Sequence, residues 1–152
     1  MKKYECCIVT FYNAINYGAV LQTYALKKMC NTFYPTHIYK HQNRKIKRLY
    51  NVNPLTASTS KEAIIKAIRF IANTTQKHRF NSFIRRYLIN DYPKSDNIFY
   101  ITGSDQVWNY DCSDFDKTYF LEFVEDDQLK NSYAASFGFK KQSLVQSKYE
   151  QH

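Results

Sequence analysis

The stretch Ile98-Phe99-Tyr100-Ile101-Thr102-Gly103-Ser104-Asp105-Gln106-Val107-Trp108-Asn109 joins a short apolar run to a polar loop. The run has the length and composition of a buried strand. Glycine ends it, and a hydroxyl, a carboxylate, amides and the only tryptophan of the chain follow. Ligand-facing loops of α/β proteins leave the carboxyl ends of buried strands in this way. The stretch therefore predicts a buried strand of a parallel sheet and a ligand-facing loop at its end.

The pattern of apolar residues predicts three further strands and the helices between them. Strands are expected at residues 4–10, 37–39 and 131–136. A helix is expected at residues 18–30, capped by Asn16, with Leu21, Ala25 and Met29 on one apolar stripe. A capping box at residues 59–62 predicts a second helix through residue 71, and apolar positions 80, 83, 84, 87 and 88 predict a third. Alternating strands and helices predict an α/β fold, a Rossmann-like parallel sheet with helices on both faces.

The length of 152 residues predicts one domain, which we place at residues 1–139. Residues 40–58 are basic and polar and predict a long, mobile insertion or linker. Residues 119–124 are apolar and fit either a helical turn or a strand. Residues 140–152 are expected to form a partial helix or a frayed tail.

The composition, 44% hydrophobic and 17% aromatic, is typical of a folded domain and excludes global disorder. No apolar run approaches the roughly 18 residues of a membrane-spanning helix, and no signal peptide is recognisable. We expect a cytoplasmic protein, free or peripheral at the inner face of the membrane. Cys6, Cys7, Cys30 and Cys112 lack CxxC spacing, which predicts unpaired thiols and no zinc site.

Charge is distributed unevenly along the chain. Residues 1–100 carry 17 Lys and Arg against 4 Asp and Glu, whereas residues 101–152 carry 5 against 9. Such asymmetry marks either a surface that attracts phosphate groups or simply solvated helix faces. The charge pattern leaves both interpretations open.

Three polar loops follow predicted strands, at residues 12–18, 103–109 and 136–138, and parallel pairing brings them to one edge of the sheet. In the first loop Asn13 and Asn16 offer amides suited to sugar hydroxyls. Gly18 permits close approach of a ligand to the backbone. The alternative is that Asn16 only caps the helix and Tyr17 only packs. The GxGxxG dinucleotide fingerprint is absent from the sequence.

The second loop carries the most varied chemistry. Asp105 has the chemistry of a base toward a hydroxyl or of a group that orients one. Gln106 and Asn109 can hydrogen-bond a polar ligand, and Trp108 can stack on a sugar ring. The alternative is a buried Trp108 and an Asp105 that caps a turn. The spacing alone favours neither.

No metal site is predicted. Asp111, Asp114 and Asp116 lack the glycine and the closing glutamate of a calcium loop, so a solvated turn is expected. The four histidines show neither ligand spacing nor triad partners, and we expect most of them on the surface. They are His37, His41, His78 and His152.

Three segments together resemble the polysaccharide pyruvyl transferase family. The first segment, Phe11-Tyr12-Asn13-Ala14-Ile15-Asn16-Tyr17-Gly18-Ala19-Val20-Leu21-Gln22-Thr23-Tyr24-Ala25-Leu26, is similar to the family's F-x-N-x-x-N-Y-G-A-x-L-Q-x-Y-A-L stretch. The second is Gly103-Ser104-Asp105-Gln106-Val107-Trp108-Asn109. The third is Phe120-Leu121-Glu122-Phe123 followed by Ser132-Tyr133-Ala134-Ala135-Ser136-Phe137-Gly138. Order and spacing agree across essentially the whole chain.

This resemblance implies a glycosyltransferase B-like enzyme of two Rossmann-like domains that transfers pyruvyl from phosphoenolpyruvate to sugar hydroxyls of a cell-surface or exopolysaccharide glycan. Family members are roughly twice this length. We therefore expect a truncated N-terminal, acceptor-side domain that lacks the donor domain and is inactive alone. Its expected partners are a glycan acceptor, free or lipid-linked, and a second-half polypeptide or a second copy bound along an exposed sheet edge. Phosphoenolpyruvate is the donor substrate, and no cofactor is implied.

Asp105 is the candidate catalytic residue because of the chemistry of its loop, and the sequence leaves open whether it is a base, an orienting group or a structural cap. The substrate-binding candidates are Asn13, Asn16, Tyr17, Gly18, Gln22, Gly103, Ser104, Gln106, Trp108, Asn109, Ser136 and Gly138. Two alternatives remain, a non-catalytic remnant and a basic binding module for anionic partners. No nucleic-acid motif is recognisable, so nucleic acid is not an expected partner. The basic module would use Arg44, Lys45, Lys47, Arg48, Arg79, Arg85 and Arg86.

Overall fold

In the part of the chain that the structure describes, four parallel strands form one sheet in the order β2-β1-β3-β4. The structure is a computed structural model and describes residues 4–49, 59–89 and 91–138. The strands are β1 (Glu5–Val9), β2 (Thr36–Ile38), β3 (Ile98–Gly103) and β4 (Lys130–Tyr133). All four predicted strands are present, which confirms the α/β class, although β4 ends at Tyr133 and not at residue 136.

The pairing of β1 with β3 is the longest in the sheet. It runs from Glu5 opposite Ile98 to Val9 opposite Thr102. The chain moves from β1 outward to β2 and then returns past β1 to β3, so the strand order reverses between β1 and β3. In open parallel sheets such a reversal opens a crevice at the carboxyl ends of the two strands. The loops that follow β1 and β3 therefore leave the sheet side by side.

The helices differ from the sequence prediction in two places. The segment at residues 40–58 contains a short helix instead of an irregular connection, and residues 50–58 lie outside the described residues. The two helices predicted between residues 59 and 88 form one 28-residue helix. The helices are α1 (Tyr17–Cys30), α2 (Arg44–Leu49), α3 (Ser60–Tyr87) and α4 (Tyr110–Ser113), and 3-10 helices lie at Lys117–Phe120 and Asp127–Leu129.

The apolar stretch at residues 119–124, whose composition fits either a helical turn or a strand, is not a strand. It begins in the first 3-10 helix and continues as a turn that buries Leu121 and Val124. The predicted helix or tail at residues 140–152 lies outside the described residues.

Side chains of β1 alternate between two apolar clusters, as expected for a strand with both faces covered. Cys6 and Ile8 belong to a cluster that also contains buried residues of α1 and α3. Val9 belongs to the second cluster, which contains Ile46 of α2 and the buried residues between positions 107 and 124. The sheet is thus covered on both faces, and α1 and α3 both contribute buried residues to the first cluster.

The buried stripe of α1 is not the predicted one. Leu21 and Met29 are 53% and 46% exposed, whereas Leu26 and Lys27 are buried. The Lys27 ammonium is accommodated because it donates to the carbonyl oxygen of Leu88 at 2.8 Å and pairs with Asp91 at 3.1 Å. Lys27 is therefore buried with its ammonium group paired, at a position where the apolar periodicity alone predicts exposure to solvent.

Two histidines are held by carboxylates. His37 is buried, contrary to the expectation for most histidines, and its Nε2 donates to Glu5 Oε2 at 2.9 Å. His41 donates to Asp116, which also accepts from Asn43 at 2.9 Å. The bonds from His41 and Asn43 to Asp116 fasten the segment after β2 to the segment before the first 3-10 helix.

The thiols are free, as predicted, and three of them are buried. Burial raises the pKa of Cys7 to about 12 and also raises the pKa of Cys6 and of Cys30. These three thiols therefore stay protonated, and poorly nucleophilic, near neutral pH. Among the described helices, none is long and apolar enough to cross a membrane.

Asp116 provides a test of the link between the two segments. Burial raises its pKa, but hydrogen bonds from His41, Thr118 and Asn43 outweigh burial and hold the pKa below its usual value. A lowered native pKa adds stability that is present above the unfolded-state pKa of about 3.9 and is lost as the pH falls through the native value. We expect Asp116→Asn to lower the free energy of unfolding at pH 7 by about 1–3 kcal/mol in urea titrations, and by less at pH 3.

The matched control is Asp114→Asn. Asp114 is an exposed carboxylate 3.5 Å from Lys45, so its substitution should change stability by less than about 1 kcal/mol at either pH. Equal losses for the Asp116 variant at pH 7 and pH 3 would contradict this account of the link.

Candidate functional site

An open cleft of about 480 Å³ lies where α1 meets the carboxyl ends of β3 and β4. We call it the α1–β4 cleft. Five of the residues singled out from the sequence lie here together, contributed by a helix and two loops. The cleft is lined by Gln22, Ala25, Leu26, Met29, Ser104, Asp105, Gln106, Tyr133, Ala134 and Ser136.

Backbone contacts hold the loop after β3 against the chain after β4. Gly103 has a φ of +128°, and Ser104 has a φ of +59°, so the chain turns sharply at the end of β3. The N–H of Ser104 donates to the carbonyl oxygen of Tyr133 at 2.6 Å, and the N–H of Ser136 donates to that of Asp105 at 3.2 Å. The third predicted loop is therefore fixed beside the second.

The hydroxyl of Ser104 has no hydrogen-bond partner within the described chain. Its Oγ is buried, the residue is 9% exposed, and the side chain lines the α1–β4 cleft. A buried hydroxyl without a partner costs free energy, and a polar ligand group in the cleft would remove that cost.

The carboxylate of Asp105 is partly withdrawn from solvent at the wall of the cleft. Burial raises its pKa, and the N–H of Gln106, which donates to Oδ1 at 2.7 Å, partly offsets that rise. The other carboxylate oxygen has no hydrogen-bond partner among the described residues. A carboxylate with a raised pKa and a free oxygen is a better proton acceptor than a fully solvated one.

Gln106, Asn109 and Gly138 fit together closely. Asn109 Nδ2 donates to Gln106 Oε1 at 2.9 Å, and Asn109 Oδ1 accepts from the N–H of Asp111 at 3.0 Å, which caps α4. A Cβ atom added at Gly138 would overlap the side chains of both Gln106 and Asn109. Asn109 and Gly138 therefore shape the position of Gln106.

Trp108 packs against other aromatic side chains. Its ring is stacked on Phe120 with centroids 5.9 Å apart and lies 5.3 Å from Phe137. Its Nε1 donates to the carbonyl oxygen of Tyr119 at 3.0 Å. Trp108 does not belong to the residues that line the α1–β4 cleft. Of the two interpretations that the sequence left open, this arrangement matches packing.

The first predicted loop lies elsewhere. Asn16 caps α1, accepting from the N–H groups of Gly18 at 2.8 Å and Ala19 at 3.3 Å. Tyr17 is 63% exposed and contacts Phe80, with ring centroids 4.7 Å apart. Neither Asn16 nor Tyr17 lines the α1–β4 cleft.

Asn13 lines a second cleft of about 400 Å³, which we call the α2–α3 cleft. Basic side chains that sequence analysis placed in a linker and on helix faces meet the first loop there. The spacing of residues 77, 81 and 85 predicts that they lie on one face of a helix. No pattern in the sequence predicts that this face lies near α2. The cleft is lined by Tyr12, Asn13, Ile15, Gln42, Ile46, Lys47, Lys77, Asn81, Ile84, Arg85 and Ile89.

The three aspartates at positions 111, 114 and 116 do not form a metal site. Asp114 ends α4 in the left-handed conformation, and Asp116 caps the following 3-10 helix. Within residues 4–49, 59–89 and 91–138, no group of three histidine, cysteine or carboxylate side chains converges as metal ligands would.

Comparisons with known proteins assign no family or function to the chain. No protein-family model, no curated protein and no solved structure matches the chain. The functional interpretation therefore depends on the residues and contacts described above.

Gly103 provides a test of the turn that shapes the α1–β4 cleft. A Cβ atom there would clash with the carbonyl oxygen of Tyr133 and lie 3.0 Å from Ala135 Cβ, and its φ is unfavourable for other residues. We expect Gly103→Ala to lower the free energy of unfolding by at least about 2 kcal/mol, measured by urea unfolding.

Gly18→Ala is the matched control. A Cβ atom at Gly18 would meet only Asn16 Oδ1, at 3.1 Å, so the effect should stay within about 1 kcal/mol. If the two alanine variants were equally stable, the proposed close contact between the ends of β3 and β4 would be wrong.

Proposed function

We propose that the described residues form the acceptor-side domain of a polysaccharide pyruvyl transferase-like enzyme with a glycosyltransferase B-like architecture. One observation carries the proposal. Gln22 from the first family-like segment, Asp105 from the second and Ser136 from the third line the same cleft. Parallel pairing alone predicts that the loops of Asp105 and Ser136 lie close together, whereas Gln22 was linked to them beforehand only by the resemblance.

The α1–β4 cleft has the chemistry of a carbohydrate site. Its polar groups are amides, hydroxyls and one carboxylate, and Leu26 and Met29 add apolar surface. Sugars present hydroxyls that both donate and accept, together with apolar C–H faces. Amide and hydroxyl side chains can both donate hydrogen bonds to sugar hydroxyls and accept hydrogen bonds from them.

The proposed reaction forms a pyruvate ketal. One acceptor hydroxyl oxygen bonds to C2 of phosphoenolpyruvate while C3 gains a proton. A second hydroxyl oxygen of the sugar then bonds to the same carbon as the C–O bond to phosphate breaks. Of the two protons lost by the sugar hydroxyls, one completes the new methyl group at C3 and the other is taken up by the released phosphate.

Asp105 is the proposed base in this reaction. Its raised pKa favours proton acceptance from an acceptor hydroxyl, and Ser104 would hydrogen-bond a neighbouring hydroxyl. Among the described residues, no lysine or arginine lines the α1–β4 cleft. Phosphoenolpyruvate carries several negative charges and requires cationic partners, so its main binding groups are proposed to come from another domain or chain.

β4 offers an edge for such a partner. It is the last strand of the described sheet, and its residues from Asn131 to Tyr133 are exposed, Tyr133 by 50%. Unpaired strand edges readily accept another strand. A second-half polypeptide or a second copy of the chain is proposed to dock there, in the cytoplasm or at the inner face of the membrane.

Glycan binding can be tested in the chain alone. We expect Gln22→Ala to weaken the binding of a galactose- or N-acetylmannosamine-containing disaccharide about fivefold, measured by saturation-transfer NMR titration, because it removes a neutral hydrogen-bonding group from the cleft. The control is Gln128→Ala, an exposed glutamine in the second 3-10 helix. Equal affinities of the two variants would exclude the α1–β4 cleft as the glycan site.

Transfer can be tested by mixing the chain with phosphoenolpyruvate, the disaccharide and a candidate donor-half protein, with phosphate release as the readout. We expect activity only with the donor half, and Asp105→Asn should lower it about 100-fold or more while leaving glycan affinity within about twofold. Full activity of the chain without the donor half would overturn the acceptor-side assignment.

A further inference from the structure

We propose that the α2–α3 cleft binds the phosphate group of a small organic molecule. This site goes beyond the proposed pyruvyl transfer and does not depend on it. The cleft lies at the carboxyl end of β1, bounded by the first loop, the segment leading into α2, and α3.

Three cationic side chains line this cleft. Lys77 and Arg85 stand two turns apart on α3 with Asn81 between them, so all three lie on one helix face. Lys47, on α2, is contributed from a different element. The cations therefore surround one space from two helices instead of forming a row along one surface.

These cations have no counter-charge in the described part of the chain. No aspartate or glutamate lines the cleft, and neither Lys47, Lys77 nor Arg85 has a carboxylate oxygen within 4 Å among the described residues. By contrast, Lys27 pairs with Asp91 at 3.1 Å and Lys45 contacts Asp114 at 3.5 Å. Three unpaired like charges around one cavity raise the affinity for an anion that neutralises them.

The rest of the cleft favours an oxyanion attached to an organic group. Isoleucines at positions 15, 46, 84 and 89 line part of it, so an apolar surface for the organic group lies beside the exposed cations. Asn13 Oδ1 is buried and accepts no hydrogen bond from a described residue. A volume of about 400 Å³ exceeds that of a phosphate ion and leaves space for a sugar or a base, one hydroxyl or N–H of which would donate to Asn13.

The site is distinct from a general basic surface. Arg79 lies on the same helix as Lys77 and Arg85, but it lines a separate, mostly apolar cleft with Tyr17 and Phe80. An extended polyanion would use Arg79 as well, whereas a small phosphate in the α2–α3 cleft would not. Arg79 thus distinguishes the two kinds of ligand.

The test is calorimetric titration of the whole 152-residue chain with inorganic phosphate, with chloride adjusted to keep the ionic strength constant. We expect saturable binding that the double substitution Lys77→Ala and Arg85→Ala weakens about tenfold or more. Arg79→Ala should leave the affinity within about twofold. Circular dichroism would verify that each variant is folded.

Glucose 1-phosphate and ADP, each compared with glucose and adenosine, identify the source of the phosphate group. We expect one phosphorylated compound to bind more tightly than inorganic phosphate and to depend on Lys77 and Arg85, whereas glucose and adenosine should not bind this cleft. A DNA duplex titrated in parallel tests for a polyanion site. The proposal is overturned if phosphate shows no saturable binding, if Arg79→Ala weakens phosphate binding as much as the double substitution does, or if the DNA duplex alone binds. Gln22→Ala should not change phosphate affinity, which separates this result from the test of glycan binding.

Discussion

The parallel pairing of β1 with β3 is the constraint on which the rest of the molecule depends. It fixes Val9 opposite Thr102, so the loops that follow the two strands must leave the sheet at the same edge. The loop after β3 turns toward α1 and β4 and forms one cleft, and the loop after β1 meets α2 and α3 and forms the other. A shift of this register by one residue would exchange the faces of every β3 side chain and displace the loop that lines the α1–β4 cleft.

Hydrogen bonding within the loops determines which polar groups are left for ligands. Asn16, Asn109, Asp116 and Asp126 each accept from a backbone N–H and cap a helix. Four buried side-chain polar atoms in the described residues lack a partner, and two of these, on Asn13 and Ser104, belong to residues that line the two clefts. Unsatisfied buried groups are rare in folded proteins, so these two are groups with which a ligand in either cleft could form a hydrogen bond.

Local sequence patterns predicted the parts of this structure that local physics determines. The four strands, the cap at Asn16 and the buried stripe of Phe80, Ile84 and Leu88 follow from periodicity and capping chemistry. The buried face of α1 could not be predicted, because Lys27 is stabilised by a carbonyl 61 residues away. That Gln22 and Asp105 line one cleft was expected only through the resemblance. That Lys47 and Arg85 line another was not expected at all, because packing between elements leaves no periodic signal in the sequence.

The central claim is that a glycan binds where α1 meets the loops after β3 and β4, and backbone amide chemical shifts test it most directly. The ¹⁵N-labelled chain would be titrated with the galactose- or N-acetylmannosamine-containing disaccharide. We expect saturable shift changes at residues 22, 104–106 and 136, with residues 77 and 85 unchanged. Changes confined to residues 77–85, or no saturable change at any amide, would contradict it.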